Sequence, residues 1–501
     1  MILEELIPIL DPIEIRGTTR RKIHGISYDS RKTRPGDFFL AWSTDHTPLQ
    51  QIAEEASKKG ASAIALEVLP ILNSTTSTLI HAKDIRRKLG PVSAHFYQHP
   101  AKDLTLIGIT GTNGKTTTAF LVQHLFNQLG HPCGLIGTVH YDLGQRILPA
   151  SRTTPEGSDL QHMFFTMKRQ GLTAAALEVS SHALHQGRTE GIPFDIAIFM
   201  NLTPDHLDYH GTMENYYQAK KILFTTLAHT SKPHPFAIIN TDDTYGLRLS
   251  QELRAEHFPH PIQTFGFNVT ASPSILISNH SLRSHGQSFT LSINQTQYTI
   301  EIPLIGHYNV YNATAAFAAA YFKGLPPPKI IETLRQAPHV PGRMEKAGTT
   351  PNGATAIVDY AHSPDAVEKA LLTLRQLHPS RLTIVIGCGG NRDRSKRPLM
   401  AQSALQHADF AIFTADNPRY ESLSDILNDM AEGADAIGKT NYLIIEDRRE
   451  AISTALRQAI PGEIVLIAGK GHETTQQIGP IFTPFNDIEV ARQIINQLPH
   501  P

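Results

Sequence analysis

An α/β protein of three domains is predicted on three observations. The chain has 501 residues, roughly three times a typical ~150-residue domain. Short apolar runs of strand length alternate with helical stretches, and a glycine-rich loop lies between one such strand and one such helix. Residues 1–100 read as a small α/β unit, with strand-like runs at 36–41 and 61–67, and the Pro and charged residues of 99–103 suit a linker. The central unit, 101–340, opens on an apolar strand at 104–110. A helix follows from Thr116, where Ala119, Val122, Leu125, Phe126 and Leu129 lie three or four apart and Gly130 is a stop. Further strands at 173–179, 195–200 and 236–240, each leading into a helical stretch, predict a mostly parallel sheet covered on both faces. Alternating segments between 260 and 305 read as an antiparallel appendage to that unit. The last unit, 341–501, repeats the strand–helix rhythm at 354–359, 382–387, 410–414, 442–446 and 464–468 and is read as a doubly wound, Rossmann-like domain. In such sheets ligands sit beyond the carboxyl ends of the strands.

Composition narrows the function. Lys and Arg total 45 against 46 Asp and Glu, a formal charge of -1, so no global basic field is available for nucleic acid or an anionic membrane, and phosphate binding must be local. Two cysteines, Cys133 and Cys388, exclude a disulfide framework and a four-cysteine zinc site. The 26 histidines are scattered. No apolar run approaches the ~18 residues of a membrane span. The opening segment places Glu4 and Glu5 where a signal peptide needs basic residues, so a cytoplasmic protein is expected.

Chemistry concentrates at strand ends. Gly111, Thr112, Asn113, Gly114, Lys115, Thr116 and Thr117 form a phosphate-cradling loop: glycines let backbone N–H groups approach phosphate oxygens, Lys115 supplies a cation, and the Thr116 hydroxyl can ligate Mg²⁺. The standard spacing would put its first glycine at Ile109; Gly108 and Gly111 flank that position. Glu178 and His182 follow one strand, and His206 and His210 follow another. Glu178 is a natural oxygen ligand, while the two later histidines are either a helix-spaced zinc pair or polar loop residues. Lys220 and Lys221 are adjacent, and periodicity does not choose between them. In the last unit three strand ends present Arg392, then Asp416, Asn417, Pro418 and Arg419, then Gly469 and Glu473. An arginine fork grips a carboxylate, and a carboxylate holds an ammonium group.

The loop Gly-Thr-Asn-Gly-Lys-Thr-Thr at 111–117 resembles that of the Mur ligase family of ATP-dependent amide-bond formers, together with folylpolyglutamate synthases. The similarity runs along the whole chain. Asp29, Ser30, Arg31, Pro35, Gly36 and Asp37 look like the family's uridine-nucleotide-binding start. Thr153, Thr154, Pro155, Ser180, Gln186 and Arg188 match its contacts to a muramoyl dipeptide and pyrophosphate, and Asn309, Arg343 and Asp359 match its contacts to ATP. The resemblance implies two Mg²⁺ ions held by Thr116, Glu178, His206 and a carbamylated Lys220, the Ala-Lys register selecting Lys220 over Lys221. The Asp-Asn-Pro-Arg run at 416–419 resembles that of the members that add meso-diaminopimelate to UDP-N-acetylmuramoyl-L-alanyl-D-glutamate in peptidoglycan synthesis. ATP as co-substrate, an acyl-phosphate intermediate, closure of the last domain over the central one, and a monomer are implied with it. Departures from the family pattern fall at 41–46, at His307 and Tyr308 before Asn309, and at Asn391, where an aspartate is usual. Glu473 and His182 are both candidates for the base. Two rivals remain. One is a sister ligase of the family that adds a different residue, such as lysine, or a folylpolyglutamate synthase. The other, from a different class, is a P-loop regulatory or transport ATPase that uses hydrolysis to change conformation, which leaves the clustered arginines of the last unit unexplained.

Overall fold

The computed structural model describes residues 1–42, 48–72, 75–283 and 286–499. Residues 43–46 of the divergent uridine-side segment lie outside the described residues. The N-terminal sheet comprises β1 (Glu14–Arg16), β2 (Gly25–Ser27), β3 (Asp37–Ala41), β4 (Ala63–Leu66) and β5 (Thr78–His81), ordered β1-β5-β4-β3-β2, with β1 antiparallel at the edge. Its helix Ile85–Phe96 packs on helix Gly157–Arg169 of the next unit. The two meet glycine to glycine: a Cβ on Gly157 would lie 2.8 Å from the Gly90 Cα. Tyr28 donates to Asp159 Oδ2 at 2.5 Å across the same joint.

The central sheet contains β6 (Thr105–Thr110), β7 (Cys133–Ile136), β8 (His140–Asp142), β9 (Ile147–Pro149), β10 (Ala174–Glu178), β11 (Ile196–Phe199), β12 (Phe236–Asn240), β13 (Ile262–Gly266), β14 (Ile275–Arg283), β15 (Gly286–Ile293) and β16 (Thr296–Ile302). Their order is β16-β15-β14-β13-β12-β11-β6-β10-β7-β8-β9. Alternate residues of β6 feed opposite cores: Leu106 joins Phe164 and Phe194, while Ile107 and Ile109 join Val122 and Phe126. Gly108 makes room within the strand, since a Cβ there would lie 2.8 Å from the Phe194 ring. Its place in the sequence near the phosphate loop therefore reflects packing.

Residues 260–305 do not form an appendage. β13 and β14 continue the parallel order from β12, and β15 and β16 then add antiparallel strands to the same sheet. The reason is burial: Phe289, Leu291, Ile293, Ile300 and Ile302 close the core shared with helix His307–Phe322.

The third sheet has β17 (Glu345–Thr349), β18 (Thr355–Asp359), β19 (Leu382–Ile386), β20 (Phe410–Phe413), β21 (Tyr442–Ile444) and β22 (Ile464–Ala468), ordered β17-β18-β22-β19-β20-β21. All pairings are parallel except that of the edge strand β17. A hairpin, β23 (Thr475–Ile478) and β24 (Ile481–Pro484), follows it. Helices cover both faces, as the cores around Leu371 and Met400 on one side and Ile452 and Ile494 on the other show.

Candidate active site

The phosphate loop is built where β6 runs into helix Lys115–Gln128. Gly114 has φ +86°, and a Cβ there would collide with Asn312 Oδ1, so both conformation and space call for glycine. Asn201, after β11, braces the loop: its Oδ1 accepts from Asn113 N at 2.8 Å and its carbonyl from Thr112 N at 3.0 Å. Lys115 Nζ folds back onto the carbonyls of Gly111 and Thr112 at 2.8 and 2.9 Å. Burial lowers its pKa, with Glu178 opposing. Thr116 Oγ1 donates to Glu178 Oε2 at 2.9 Å, and Thr138 donates to the same carboxylate from N at 2.8 Å and Oγ1 at 3.1 Å. Thr117 is buried in the first helical turn.

Helix Met213–Ala228 separates the two candidate lysines. Lys220 is buried, donates to the Gly111 carbonyl at 2.9 Å and lies 4.6 Å over the Tyr216 ring. Burial, then the charge of Lys115, holds its amine far below the usual lysine range. Lys221 points the other way, into Glu252 and Glu256 at 2.9 and 2.6 Å. Only Lys220 therefore reaches the loop.

His206 initiates a short helix at φ +55°, its Nε2 3.5 Å from Asp205 Oδ2 and its ring 4.8 Å from that of His182. The imidazole is partly exposed; partial desolvation, with the neighbouring His182, Lys115 and Lys220, shifts it below its ordinary range against the pull of Asp205, which favours the neutral form with a lone pair to offer. His210 is committed elsewhere, to Ser181 Oγ at 3.0 Å and to a stack on Tyr216. No cluster of three His, Cys, Asp or Glu suited to a metal occurs among the described residues, so the zinc-pair reading finds no third ligand.

The ATP-side residues separate. Arg343 reaches from the third unit to Thr116 Oγ1 at 3.2 Å, its guanidinium 4.7 Å over the Tyr360 ring. Asp359 acts behind it, accepting from Met344 N at 2.8 Å and Ala361 N at 2.9 Å. Asn309 is buried and linked through Asn312 Nδ2 at 2.8 Å to the residue beneath Gly114. Sequence reasoning missed two further ties between the units: Asn113 Nδ2 to Asp365 Oδ2 at 3.0 Å, and Lys396 to Asp205 at 3.2 Å.

Thr154, Ser180, Gln186 and Arg188 come together. Thr154 Oγ1 donates to the Glu178 carbonyl at 2.7 Å and accepts from Ser180 N at 3.0 Å. Arg188 donates to Thr154 O at 2.9 Å and Gln186 Oε1 at 2.5 Å. Thr153 Oγ1 lies 3.1 Å from Thr138 Oγ1, and Ser30 donates to Glu55 at 2.6 Å in the N-terminal unit. Glu156, not anticipated from sequence, is buried among Arg86, Arg152 and Arg188 at 2.7, 2.5 and 3.2 Å. Its only signal was its place one residue after Pro155.

In the third unit Arg419 has φ +54°, and its Nη1 donates to the Gly390 carbonyl at 2.6 Å. Gly389 lets two arginines approach: a Cβ there would lie 3.0 Å from Arg419 Nη1 and 3.7 Å from Arg392 Cγ. Asn391 has φ +50°, a conformation asparagine tolerates, and its Oδ1 accepts from Tyr420 N at 3.0 Å. Asn417 Nδ2 donates to Glu473 Oε2 at 2.8 Å and to Asp416 Oδ1 at 3.0 Å. A Cβ on Gly469 would lie 2.7 Å from Asp416 Oδ2. The buried Pro418 turns the chain between Asn417 and Arg419.

The chain is similar along its length to known proteins. The Mur ligase middle domain matches residues 109–320, and the Mur ligase glutamate ligase domain matches residues 342–471. The UDP-N-acetylmuramoyl-L-alanyl-D-glutamate--2,6-diaminopimelate ligase of Geobacillus thermodenitrificans is 41% identical over 503 residues, covering 99% of this chain and 100% of its own. Its namesake in Coxiella burnetii is 40% identical over 482 residues, covering 94% and 96%. A solved structure of a ligase of that name superposes with a TM-score of 0.69 at 36% identity over 99% of both chains. MurF of Thermotoga maritima in complex with ADP shares the fold, with a TM-score of 0.64 at 17% identity, covering 95% of this chain and 97% of its own.

Proposed function

The chain belongs to the Mur ligase family, and on that premise we infer that it joins meso-diaminopimelate to UDP-N-acetylmuramoyl-L-alanyl-D-glutamate, driven by ATP, in peptidoglycan precursor synthesis. The observation that carries the substrate reading is the crevice at Gly389, where Arg392 and Arg419 lie side by side next to Asp416, Asn417 and Glu473. Diaminopimelate is a zwitterion at both ends. One amine must react, and the distal carboxylate and ammonium need partners of opposite charge. Arg419 grips the carboxylate; Asn417 and Glu473 receive the ammonium.

A carboxylate does not react with an amine at neutral pH, so it must first acquire a leaving group. A D-glutamate side-chain oxygen attacks the γ-phosphorus, the bond to ADP breaks, and an acyl phosphate forms. The amine of diaminopimelate then attacks the carbonyl carbon, phosphate leaves, and the amine loses a proton. Lys115 and Arg343 offset charge developing on the transferred group. Arg343 and Asp365 reach the loop from the third unit, which excludes water from the acyl phosphate only while the units are together. Thr154, Ser180, Gln186 and Arg188 orient the muramoyl dipeptide, Ser30 the uridine end, and Asn309 and Asp359 support the nucleotide side. We assign these roles to units 1–100, 101–340 and 341–501.

The donor set suits Mg²⁺. Thr116 and Glu178 offer hard oxygens, and Mg²⁺ takes few protein ligands beside phosphate and water. A second ion would use His206 and Lys220. The neutral Lys220 amine can add CO2, losing a proton, to become an anionic carbamate with two oxygens. Bound there, the ions would neutralise phosphate oxygens. No helix among the described residues is long and apolar enough to cross a membrane. We place the reaction in the cytoplasm, catalysed by a monomer without nucleic acid.

Mass spectrometry of products after mixing with ATP, UDP-muramoyl dipeptide and either diaminopimelate or lysine tests the reading. A tripeptide product with diaminopimelate and little with lysine is expected; the reverse would overturn the substrate assignment.

A further inference from the structure

Beneath the amino-acid crevice lies a buried set of charges that the ligation chemistry leaves unused. Lys470, in the loop after β22, has no exposed surface. An ammonium group has three N–H donors, and three acceptors surround this one: Asn417 Oδ1 at 3.2 Å, Glu473 Oε2 at 2.8 Å and the Thr475 carbonyl at 2.8 Å. Asn417 Oδ1 also accepts from Gln477 N at 2.9 Å, which ties in the hairpin β23–β24. Lys470 therefore fixes the side chains from two strand ends that are to receive the substrate's ammonium group.

The floor of this set is rigid. Arg448 and Asp487 form a fully buried bidentate pair at 2.8 and 2.7 Å. Arg448 also donates to the carbonyls of Ala415 at 3.2 Å and Ala468 at 2.8 Å, the residues just before Asp416 and Gly469. Two strand ends are thereby held at one spacing, and Lys470 bridges the loops that leave them. A buried lysine whose only role was packing would be replaceable by methionine at little cost, and three charge-assisted acceptors argue against that.

We propose that Lys470 is a positioning residue for the amino-acid substrate, holding Asn417 and Glu473 in the geometry, and supplying the counter-charge, with which Glu473 receives the distal ammonium of diaminopimelate. The inference rests on the diaminopimelate reading above. Burial acts to raise the Glu473 carboxyl, and Lys470, the Asn417 hydrogen bond and His472 together bring the group below its ordinary range. Glu473 is also faced by His472, Asp416, Tyr360, Arg419 and Arg448. Of the cations among them, Lys470 is the one hydrogen-bonded to it.

The test compares the full-length wild type with Lys470→Met and Lys470→Gln, the second keeping N–H donors without the charge and serving if the first does not fold. In either variant KM for diaminopimelate should rise about tenfold to a hundredfold, while KM for ATP and for the UDP-muramoyl dipeptide stays within about twofold. The acid limb of the diaminopimelate KM profile should also move to higher pH, because Glu473 would take up a proton sooner; a purely structural loss would not move it. An unchanged diaminopimelate KM with an unmoved acid limb would overturn the proposal, as would a uniform loss for all three substrates. A wild type inert with diaminopimelate would sink the substrate assignment itself, and this inference with it.

Discussion

Arg419→Ala is expected to lower kcat/KM for diaminopimelate by about two to three orders of magnitude, the cost of leaving a desolvated carboxylate without its charged partner. The side chain is held ready: Nη1 rests on the Gly390 carbonyl, and the backbone is pinned by Arg419 N to Gln477 O at 3.1 Å and Gly479 N to Arg419 O at 2.6 Å. Alanine adopts φ +54° no less easily than arginine, so the loss belongs to the guanidinium. Burial and the neighbouring Arg392 both act against its charge, and a substrate carboxylate relieves that repulsion. Arg419→Lys should recover little, because an ammonium cannot grip a carboxylate with a planar fork. Steady-state kinetics with ATP and the muramoyl dipeptide saturating would read the effect; wild-type kinetics in Arg419→Ala would remove the specificity argument.

Lys220→Met should lower kcat by about two to three orders of magnitude, the scale of losing a preorganised charge at a phosphoryl-transfer site. The same variant should be more stable than the wild type at neutral pH in CO2-free buffer. The folded-state pKa of Lys220 lies well below the 10.5 of the unfolded chain. Between those values the unfolded state binds the extra proton, so the wild type gains stability as pH rises toward 10.5. Methionine removes that dependence, and the two denaturation curves should converge at alkaline pH. The Gly111 carbonyl keeps Lys115 as a partner, so no acceptor is orphaned. Added bicarbonate should raise wild-type activity and leave the variant unaffected. A variant that keeps its kcat would remove the carbamate from the account.

The strands β6, β10 and β11 were legible because parallel strands buried on both faces leave unbroken apolar runs. The ribbon β7–β9 and the hairpin β23–β24 were not: their strands are three or four residues long, and the hairpin's are largely exposed. The loop at 111–117 and the run at 416–419 could be read because their chemistry is contiguous in the chain. Glu156 and its ion pairs with Arg86, Arg152 and Arg188, Lys470, and the Arg448–Asp487 pair could not, since a charged residue in sequence reads as a solvated one until distant partners enclose it. Asn113 and Asp365 are 252 positions apart, beyond any local spacing rule. Lys220 and Lys221 differ only in which side of one helix they leave, and the carbonyl of Gly111 decides between them.

Transfer of oxygen from acid to phosphate examines the acyl-phosphate route most directly. UDP-muramoyl dipeptide carrying ¹⁸O in both oxygens of its D-glutamate side-chain carboxylate is turned over with ATP and diaminopimelate, and the released phosphate is weighed by mass spectrometry. Attack of that carboxylate on the γ-phosphorus places one labelled oxygen in each phosphate, in step with amide formed. Phosphate that emerges unlabelled, or at the same rate with no amine present, contradicts the account.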